Sequence, residues 1–342
     1  MNGSSVPGER ARERAAWLAL AHNGRLRPRK LVQLVKRAGS AQAAWHLLGL
    51  PPCEGGTEGG VSALLTPADE AYPRELLQLP DFPALLYHAG NPLPPAGGRV
   101  AIVGSRRATP YGLSVAQKLG QELARCGVCV VSGLARGIDA AAHRGTLESG
   151  GFPLAVMACG LDIVYPPEHR RLMDEVERSG ALLSEYSAGT RPAGWRFPAR
   201  NRLVAALCDV VVVVEAASRS GALITVDIAL DLGREVLAVP GPVGSPTSVG
   251  THQLIREGAT MATGVDDILQ ALGMPISMEE PLRTPEGKEL RCALEALDPT
   301  GTRPEDLCRT LGIEFPKALA LLYTLELEGF ARRHAGDLFV PA

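Results

Sequence analysis

The stretch Val100-Ala101-Ile102-Val103-Gly104-Ser105-Arg106 is an apolar run that passes directly into small residues and an arginine. A second stretch of the same form, Val128-Cys129-Val130-Val131-Ser132-Gly133-Leu134-Ala135-Arg136, follows about 25 residues later. Each predicts a strand, a tight loop and then a helix. Glycines let the backbone approach a ligand, a helix N-terminus offers unpaired N–H groups, and arginine adds a forked cation. Two such loops on adjacent strands therefore predict a site for a phosphate-rich ligand, with amides of both loops as donors.

The surrounding pattern predicts an α/β fold. Buried-type strands alternate with helical stretches, and runs such as 210–214, five consecutive valines, suit a strand that is covered on both faces. We therefore expect a mostly parallel, doubly wound sheet whose strand C-termini share one ligand-binding edge. The predicted strands are residues 100–103, 128–131, 154–157, 181–183, 210–214 and 236–239.

Two smaller segments flank this core. Residues 1–63 predict a helical domain with helices at 12–21, 28–38 and 41–48; up to Ser40 they carry nine basic residues against two acids. Residues 64–274 form the expected core. Residues 286–342 predict helices at 288–297, 304–311 and 316–328 and a hairpin that pairs 330–333 with 338–340, which is the winged-helix pattern.

Composition limits the possible functions. The 342 residues carry a net charge of −2 and a pI near 6.4, so any nucleic-acid surface must be local. The pair Cys126 and Cys129 spans a helix end and a strand, which favours a structural role, and no second pair completes a zinc site. No run of 18 apolar residues occurs. We expect a cytoplasmic protein with no metal, no cofactor and no membrane partner.

The chain lacks the motifs of several enzyme classes. The first loop is not G-x-G-x-x-G, and no P-loop motif occurs. Glu215 closes the valine strand; it can pair with Arg200 or Arg202, contact a ligand or, less readily, act as a base. Ser220 opens the next helix as a further anion site. A structural role is the better interpretation for His143, and we predict no catalytic residue.

Residues 186–202 hold four arginines, no acid and three aromatic side chains. Rings that stack bases and guanidinium groups that meet phosphates are what a nucleic-acid single strand needs. Alternatively, Trp195 and Phe197 anchor the loop on the core. Arg200 and Arg202 begin a helix, and we expect both to point at the same crevice as the two glycine loops.

These residues resemble the DNA-processing protein A family (DprA, also called Smf), in order and spacing, over about residues 72–260. The matching segments are Gly104-Ser105-Arg106, Tyr111-Gly112, residues 132–143, Gly160-Leu161-Asp162, Tyr165-Pro166, Ser184-Glu185-Tyr186, residues 197–202, residues 220–225, Arg234-Glu235-Val236, Val239-Pro240-Gly241 and residues 254–259.

The resemblance implies a Rossmann-like core that binds single-stranded DNA. It further implies a recombination mediator in natural transformation (competence), which protects incoming single strands and loads a RecA-type recombinase. The resemblance also implies a homodimer, and a single-strand-binding protein is a further candidate partner. The DNA pocket of the family carries over to Gly104, Ser105, Arg106, Ser132, Gly133, Arg136, Gly137, Arg200, Asn201 and Arg202.

Two further expectations concern the rest of the chain. Residues 288–342 carry seven basic residues and nine acids, and Lys317 is the only cation in the third helix. Because phosphate contacts supply most of the sequence-independent affinity for DNA, we predict a protein-docking or regulatory module rather than a DNA reader.

The alternative function for the whole chain is a nucleotide-processing enzyme of the nucleoside-phosphate glycosidase type, in which a glutamate would stand where this chain has Ile228.

Overall fold

The computed structural model of the chain describes residues 7–23, 26, 28–50, 63–95, 98–275, 287–298, 301–334 and 337–341. These residues form two compact units, 1–275 and 276–342. The boundary between them falls in the proline-bearing stretch that follows the predicted core.

The larger unit is built on a nine-stranded sheet of order β1-β2-β6-β5-β4-β3-β7-β8-β9. Strands β3 to β9 run parallel, with β1 and β2 added antiparallel at the β6 edge. All six strands predicted from sequence are present; β1, β2 and β9 were not predicted. The strands are β1 (Ala63–Leu65), β2 (Leu86–Gly90), β3 (Arg99–Val103), β4 (Cys129–Ser132), β5 (Pro153–Met157), β6 (Ala181–Ser184), β7 (Val210–Val213), β8 (Glu235–Ala238) and β9 (Thr260–Met261).

Helices cover both faces of this sheet. The side chains of β3 show this: Ala101 and Val103 pack on the side of α7 and α8, whereas Val100 and Ile102 pack on the side of α4, α5 and α10. The doubly wound, Rossmann-like prediction is therefore confirmed. The helices between and after the strands are α4 (Pro110–Arg125), α5 (Ile138–Glu148), α6 (Arg170–Ser179), α7 (Arg196–Leu207), α8 (Gly221–Asp231), α9 (Val249–Arg256) and α10 (Val265–Ala271).

The strand order reverses direction between β3 and β7. From β3 the chain adds β4, β5 and β6 on one side, and it then returns to place β7, β8 and β9 on the other. Such a switch point leaves a crevice beyond the carboxyl ends of the two central strands. The loops that follow β3, β4 and β7 open at this place.

The N-terminal helices pack against the α7 and α8 side of the sheet. They are α1 (Pro7–His22), α2 (Pro28–Ala38) and α3 (Ala41–Leu47), within two residues of the predicted bounds except for an earlier start of α1. The Trp17 and Phe82 rings lie 5.8 Å apart, and Arg14 Nε lies 3.0 Å from Asp69 Oδ1. These helices share one compact unit with the sheet, so a separate domain ending at residue 63 stays a prediction.

The smaller unit has three helices and a two-stranded wing, as predicted. Its elements are α11 (Lys288–Glu295), α12 (Pro304–Leu311), α13 (Phe315–Leu327), β10 (Ala331–His334) and β11 (Leu338–Pro341). Leu307, Leu322 and Phe339 are fully buried in a hydrophobic core of its own. Across both units, none of the described helices has the length and apolar character needed to cross a bilayer.

Candidate nucleic-acid interface

Two adjoining cavities, of about 580 and 1330 Å³, form one cleft at the switch point of the sheet. They share Arg106, Gly133, Phe197 and Arg200 among their lining residues. Seven of the ten site residues predicted from sequence line this cleft: Gly104, Ser105, Arg106, Gly133, Arg136, Arg200 and Asn201. Ser132, Gly137 and Arg202 do not.

The two glycine loops touch each other directly. The amide of Ile138 donates to the carbonyl oxygen of Ser105 at 3.2 Å. Gly137 precedes this contact with φ 76° and ψ −126°, a conformation open mainly to glycine. A Cβ at this position would collide with the Ser105 carbonyl oxygen. Gly137 therefore sets the distance between the loops, although it does not face the cleft.

A buried carboxylate shapes the second loop. Asp139 accepts hydrogen bonds from the amides of Gly133 (3.1 Å) and Ala135 (3.3 Å). Burial raises the pKa of Asp139, and the nearby Arg200 guanidinium opposes that rise. In the first loop, the Ser105 amide donates to the Glu215 carbonyl oxygen at 2.8 Å. The expectation that these amides serve a ligand is therefore wrong for Ser105 and Gly133, whose N–H groups are already used.

Arg106 is held in the cleft by an aromatic ring. Its guanidinium carbon lies 4.4 Å from the centroid of the Phe197 ring, which is cation–π geometry. The Phe197 ring in turn packs 5.4 Å from the ring of Tyr165. Arg106 itself is exposed, so its N–H groups remain accessible while its plane is oriented. Phe197 therefore does more than anchor a loop on the core, because its ring also contacts the Arg106 guanidinium.

Arg136 lies at the mouth of the cleft beside a carboxylate. Its Nε is bound to Glu168 Oε1 in an ion pair between two half-exposed side chains. This hydrogen bond from Arg136 lowers the pKa of Glu168 to about 2. Glu168 sits on a short 3₁₀ turn that is fixed to the second loop, since the neighbouring His169 ring contacts the Leu134 carbonyl oxygen at 3.0 Å.

Arg200 forms the floor of the cleft. Only 4 % of the residue is exposed, and its Nη1 donates to the carbonyl oxygens of Gly133 (2.7 Å) and Val156. Burial lowers the pKa of Arg200 from its usual high value, with the charge of Asp139 acting in the opposite direction. A Cβ at Gly133 would overlap the guanidinium, so a larger residue there would displace the end of the Arg200 side chain. Asn201 extends the floor and donates to the Gly221 carbonyl oxygen at 3.2 Å.

Arg202 and Ser132 have other roles. The side chain of Arg202 is 14 % exposed, lies 2.6 Å from Glu185 Oε1 and 3.6 Å from Asp81 Oδ2, and is absent from the cleft lining. Arg200 reaches the cleft and Arg202 does not, so the expectation that both point at one crevice is wrong for Arg202. Ser132 is buried, and its hydroxyl donates to the Ile102 carbonyl oxygen at 2.7 Å, which ties β4 to β3.

Glu215 also differs from the arginine-paired prediction. Its carboxylate accepts from the Thr109 amide (2.9 Å), the Thr109 hydroxyl (2.5 Å) and the Thr247 hydroxyl (3.2 Å). Glu215 is buried, and no arginine within the described residues pairs with it. It therefore holds the start of α4 and the segment before α9 against β7, away from the solvent of the cleft.

A second aromatic group stands beside the cleft. The rings of Tyr186 and Trp195 meet edge to face with centroids 6.4 Å apart. The Arg196 guanidinium lies 5.0 Å from the Tyr186 centroid and 4.9 Å from that of Trp195. Trp195 is nevertheless 65 % exposed, so one ring face stays open to solvent. Its neighbour Gly194 lines the cleft.

Four residues at this site are outside the predicted site set, although Tyr165 and Pro166 belong to a segment that carries the family resemblance. Arg107, Tyr165 and Pro166 line the cleft, and Glu168 pairs with Arg136 at its mouth. Arg107 could have been found by its place next to Arg106. Tyr165 and Glu168 belong to the loop after β5, and only the strand order β5-β4-β3 indicates that this loop reaches the same edge.

Family comparisons agree with the fold. The description "DNA recombination-mediator protein A" matches residues 63–273, and "DprA winged helix domain" matches residues 279–337. Protein Smf of Escherichia coli strain K12 is 38 % identical over 277 residues, which cover 78 % of this chain and 74 % of that protein. The DNA processing protein DprA of Streptococcus pneumoniae is 43 % identical over 201 residues, 59 % of this chain and 71 % of that protein.

Two solved structures share this fold. The structure of DNA processing protein A from Streptococcus pneumoniae superposes with a TM-score of 0.58 at 34 % identity, covering 77 % of this chain and 94 % of that one. The structure of DNA processing protein A from Helicobacter pylori, described as showing a single-stranded DNA binding mode, gives a TM-score of 0.55 at 32 % identity and covers 62 % and 95 %. The sheet, the cleft at its switch point and these matches together place the chain in the DNA recombination-mediator protein A family.

Proposed function

We propose that the cleft binds the backbone and bases of single-stranded DNA without sequence preference. The observation that carries this proposal is the stacking of the exposed Arg106 on Phe197 beside a second exposed cation, Arg136. An oriented guanidinium next to a ring face offers a phosphate contact and a base-stacking surface within one nucleotide step. Arg107 adds a third exposed cation to the same wall.

The cleft suits a single strand better than a duplex. Phe197 and Tyr165 can stack only on bases that are unpaired and turned away from a partner strand. The open face of Trp195 provides a similar surface beside Gly194, where the cleft widens. The buried charge of Arg200 stabilises phosphate from below without leaving its own carbonyl partners.

The family relationship supports the same ligand. The Helicobacter pylori structure is described by its single-stranded DNA binding mode, and its fold covers 62 % of this chain. Because the cleft here lies at the switch point of the shared sheet, a strand bound at the corresponding edge would meet Arg106 and Phe197.

A holding site rather than a catalytic one is the function that the side chains favour. The Glu215 carboxylate is buried and is occupied by Thr109 and Thr247, and the Asp139 carboxylate is occupied by the amides of Gly133 and Ala135. His143 is fully buried and burial lowers its pKa to about 3, so it does not reach a ligand as a base. Release of a free base from a nucleoside monophosphate by the purified chain would instead support the glycosidase alternative.

The wider role follows from the family. We infer that the chain is a cytoplasmic recombination mediator in natural transformation, which protects incoming strands and loads a RecA-type recombinase as a homodimer; a single-strand-binding protein is a further partner. Exposed apolar side chains on elements around β8 and β9 support an interface there: Leu230, Val243, Val249 and Met261. A concentration series by analytical ultracentrifugation tests the dimer, and strand exchange by a RecA-type recombinase in the presence of the chain tests the loading.

Direct titration tests the binding site. The full chain is titrated into labelled oligothymidylate and into a duplex of equal length at two salt concentrations, with Arg106→Ala and Arg136→Ala variants beside it. We expect tighter binding of the single strand, a steep loss with salt, and weaker binding by both variants. Arg171→Ala is the matched control, because Arg171 is 92 % exposed on α6, outside the cleft lining. Unchanged affinity in both cleft variants would refute the assignment.

A further inference from the structure

Helix α2 carries an exposed basic face. Arg29, Lys30, Lys36 and Arg37 are all exposed, and no acid occurs in Pro28–Ala38. The opposite face, with Leu31, Val32 and Val35, is buried in the core. From Arg29 to Arg37 the four cations span about 12 Å at 1.5 Å per residue.

These cations are not neutralised by neighbours. Within the described residues, no acidic side chain forms an ion pair with Arg29, Lys30 or Arg37, and Lys36 Nζ lies 5.5 Å above the Phe82 ring. Glu13 of the adjacent α1 is already used, since its carboxylate accepts from the Ala41 and Gln42 amides at the start of α3. Some exposed cations on other helices do have acidic partners, since Lys118 pairs with Glu122, Arg171 with Glu175 and Lys317 with Glu289, whereas α2 carries four exposed cations and no acid.

The position of two of the cations opposes helix stability. Arg29 and Lys30 stand in the first turn of α2, where the helix dipole is positive and acidic side chains are favoured. If the exposed face of α2 served only for solubility, acidic residues in the first turn would make the helix more stable. The arrangement is consistent with an anionic partner that offsets this repulsion when bound.

A series of contacts connects this face to the cleft within the same compact unit. Lys36 covers Phe82, the preceding Asp81 lies 3.6 Å from Arg202, and Asn201, the neighbour of Arg202, lines the cleft. The helix therefore packs on the segment that supports the start of α7. The buried side of α2 and that of α7, the helix that carries Asn201, share one hydrophobic core.

We propose that the exposed basic face of α2 is a second phosphate-binding surface, which holds the backbone of the single strand where that strand leaves the cleft. The inference rests on the proposed function, because it assigns the strand that occupies the cleft to this face as well. Arg29, Lys30, Lys36 and Arg37 contact phosphates only and add affinity without base recognition. An anionic lipid surface fits less well, because the apolar side of α2 is already buried in the core and cannot enter a bilayer.

Oligonucleotide length separates the two surfaces. The probes are oligothymidylates of about six and about 30 nucleotides, the shorter being near the lower end of single-strand site sizes. The variant combines Arg29→Gln, Lys30→Gln and Arg37→Gln; the control combines Lys118→Gln, Arg125→Gln and Arg171→Gln, which removes the same charge from α4 and α6. We expect the α2 variant to bind the long probe roughly tenfold more weakly, with a salt slope smaller by about 2, and the short probe unchanged.

Further measurements make the result decisive. The α2 variant should unfold at an equal or higher urea concentration than the parent chain, since two unfavourable first-turn cations are removed. Unchanged affinity for the long probe, or an equal loss for both probes, would overturn the inference while leaving the cleft intact. Loss of binding to phosphatidylserine vesicles with unchanged DNA binding would assign the face to lipid instead. If the parent chain binds neither oligonucleotide, the proposed function fails together with the inference.

Discussion

The Arg136 guanidinium is ion-paired with the Glu168 carboxylate at the mouth of the cleft that Arg136 lines. A phosphate that approaches Arg136 must therefore displace a carboxylate that is held close by the turn at His169. Both side chains are about half exposed, so the pair is weak enough to exchange. In the proposed complex, Glu168 would therefore compete with the strand for Arg136.

Substitution of this competitor should strengthen DNA binding. We expect Glu168→Gln to raise the affinity for oligothymidylate roughly threefold, the range of an exposed ion pair, and to steepen the salt slope by at most about 0.7 because one negative charge beside the strand is removed. Fluorescence anisotropy at several salt concentrations measures both quantities. Glu175→Gln, which frees Arg171 on α6, serves as the control and should change neither. A fall in affinity on Glu168→Gln would mean that the carboxylate positions Arg136 for the strand.

The competition should be insensitive to pH near neutrality. The pKa of Glu168 is about 2, lowered from 4.5 by the hydrogen bond from Arg136. For a lowered carboxyl pKa, the stabilisation by the pair is fully present above pH 4.5 and is lost as the pH falls toward 2. The affinity ratio between Glu168→Gln and the parent chain should therefore stay constant from about pH 5 to pH 8 at fixed ionic strength. A ratio that approaches one at pH 5 would contradict this assignment.

The ring beneath Arg106 should matter separately from the charge. We expect Phe197→Ala to weaken binding of oligothymidylate by about tenfold, since base–aromatic stacking contributes on the order of 1–3 kcal/mol per base. The slope against salt should change little, because no cation is removed. Arg106→Lys keeps the charge but loses the planar contact with Phe197, so it should retain the slope at reduced affinity. A large fall in slope for Phe197→Ala would show that the ring acts only by orienting Arg106.

Contact between the loops should depend on Gly137. We expect Gly137→Ala to lower the free energy of unfolding by about 2–3 kcal/mol, because alanine disfavours positive φ and its Cβ meets the Ser105 carbonyl oxygen. Gly150 offers a matched control: it has φ 68° and open space around a Cβ, so Gly150→Ala should cost only about 1 kcal/mol. Urea unfolding measures both. Equal losses would show that the loop contact adds nothing.

The winged-helix unit should contribute little to DNA affinity. Lys317, the one cation of α13, is paired with Glu289 at 2.6 Å, and Arg333 of the wing is paired with Asp337 at 2.8 Å. We expect Lys317→Gln and Arg332→Gln in the full chain to leave the affinity for both single strand and duplex within about twofold. A reduced salt slope for either variant would assign DNA contacts to this unit.

The fold could be predicted from sequence where burial is continuous. Valine runs such as Val210–Val213 identify central strands without further information. Strand β9 has two residues and β1 has three, and both are edge strands that pair with a neighbour on one side only. Their short, half-exposed segments carry no period that distinguishes them from loops.

The place of the cleft and seven of its lining residues could be predicted from sequence, but the direction of every side chain could not. Arg200 and Arg202 are two positions apart on a helix, about 200° around its axis, so they cannot share one face. One reaches the cleft floor and the other meets Glu185. The hydrogen-bond partners of Glu215 were harder to predict from sequence, because Thr109 is 106 residues away along the chain and only the folded sheet brings it close.

The buried guanidinium of Arg200 has a consequence for the entropy of binding. Its rotamers are already restricted in the free protein by the carbonyl groups of Gly133 and Val156. A surface arginine loses about 0.5–1.5 kcal/mol of side-chain entropy when a ligand immobilises it, whereas Arg200 has lost that freedom during folding. In the proposed complex its charge would therefore act on the strand at almost no entropic cost, and the loss of side-chain entropy on binding should come mainly from the exposed Arg106, Arg107 and Arg136.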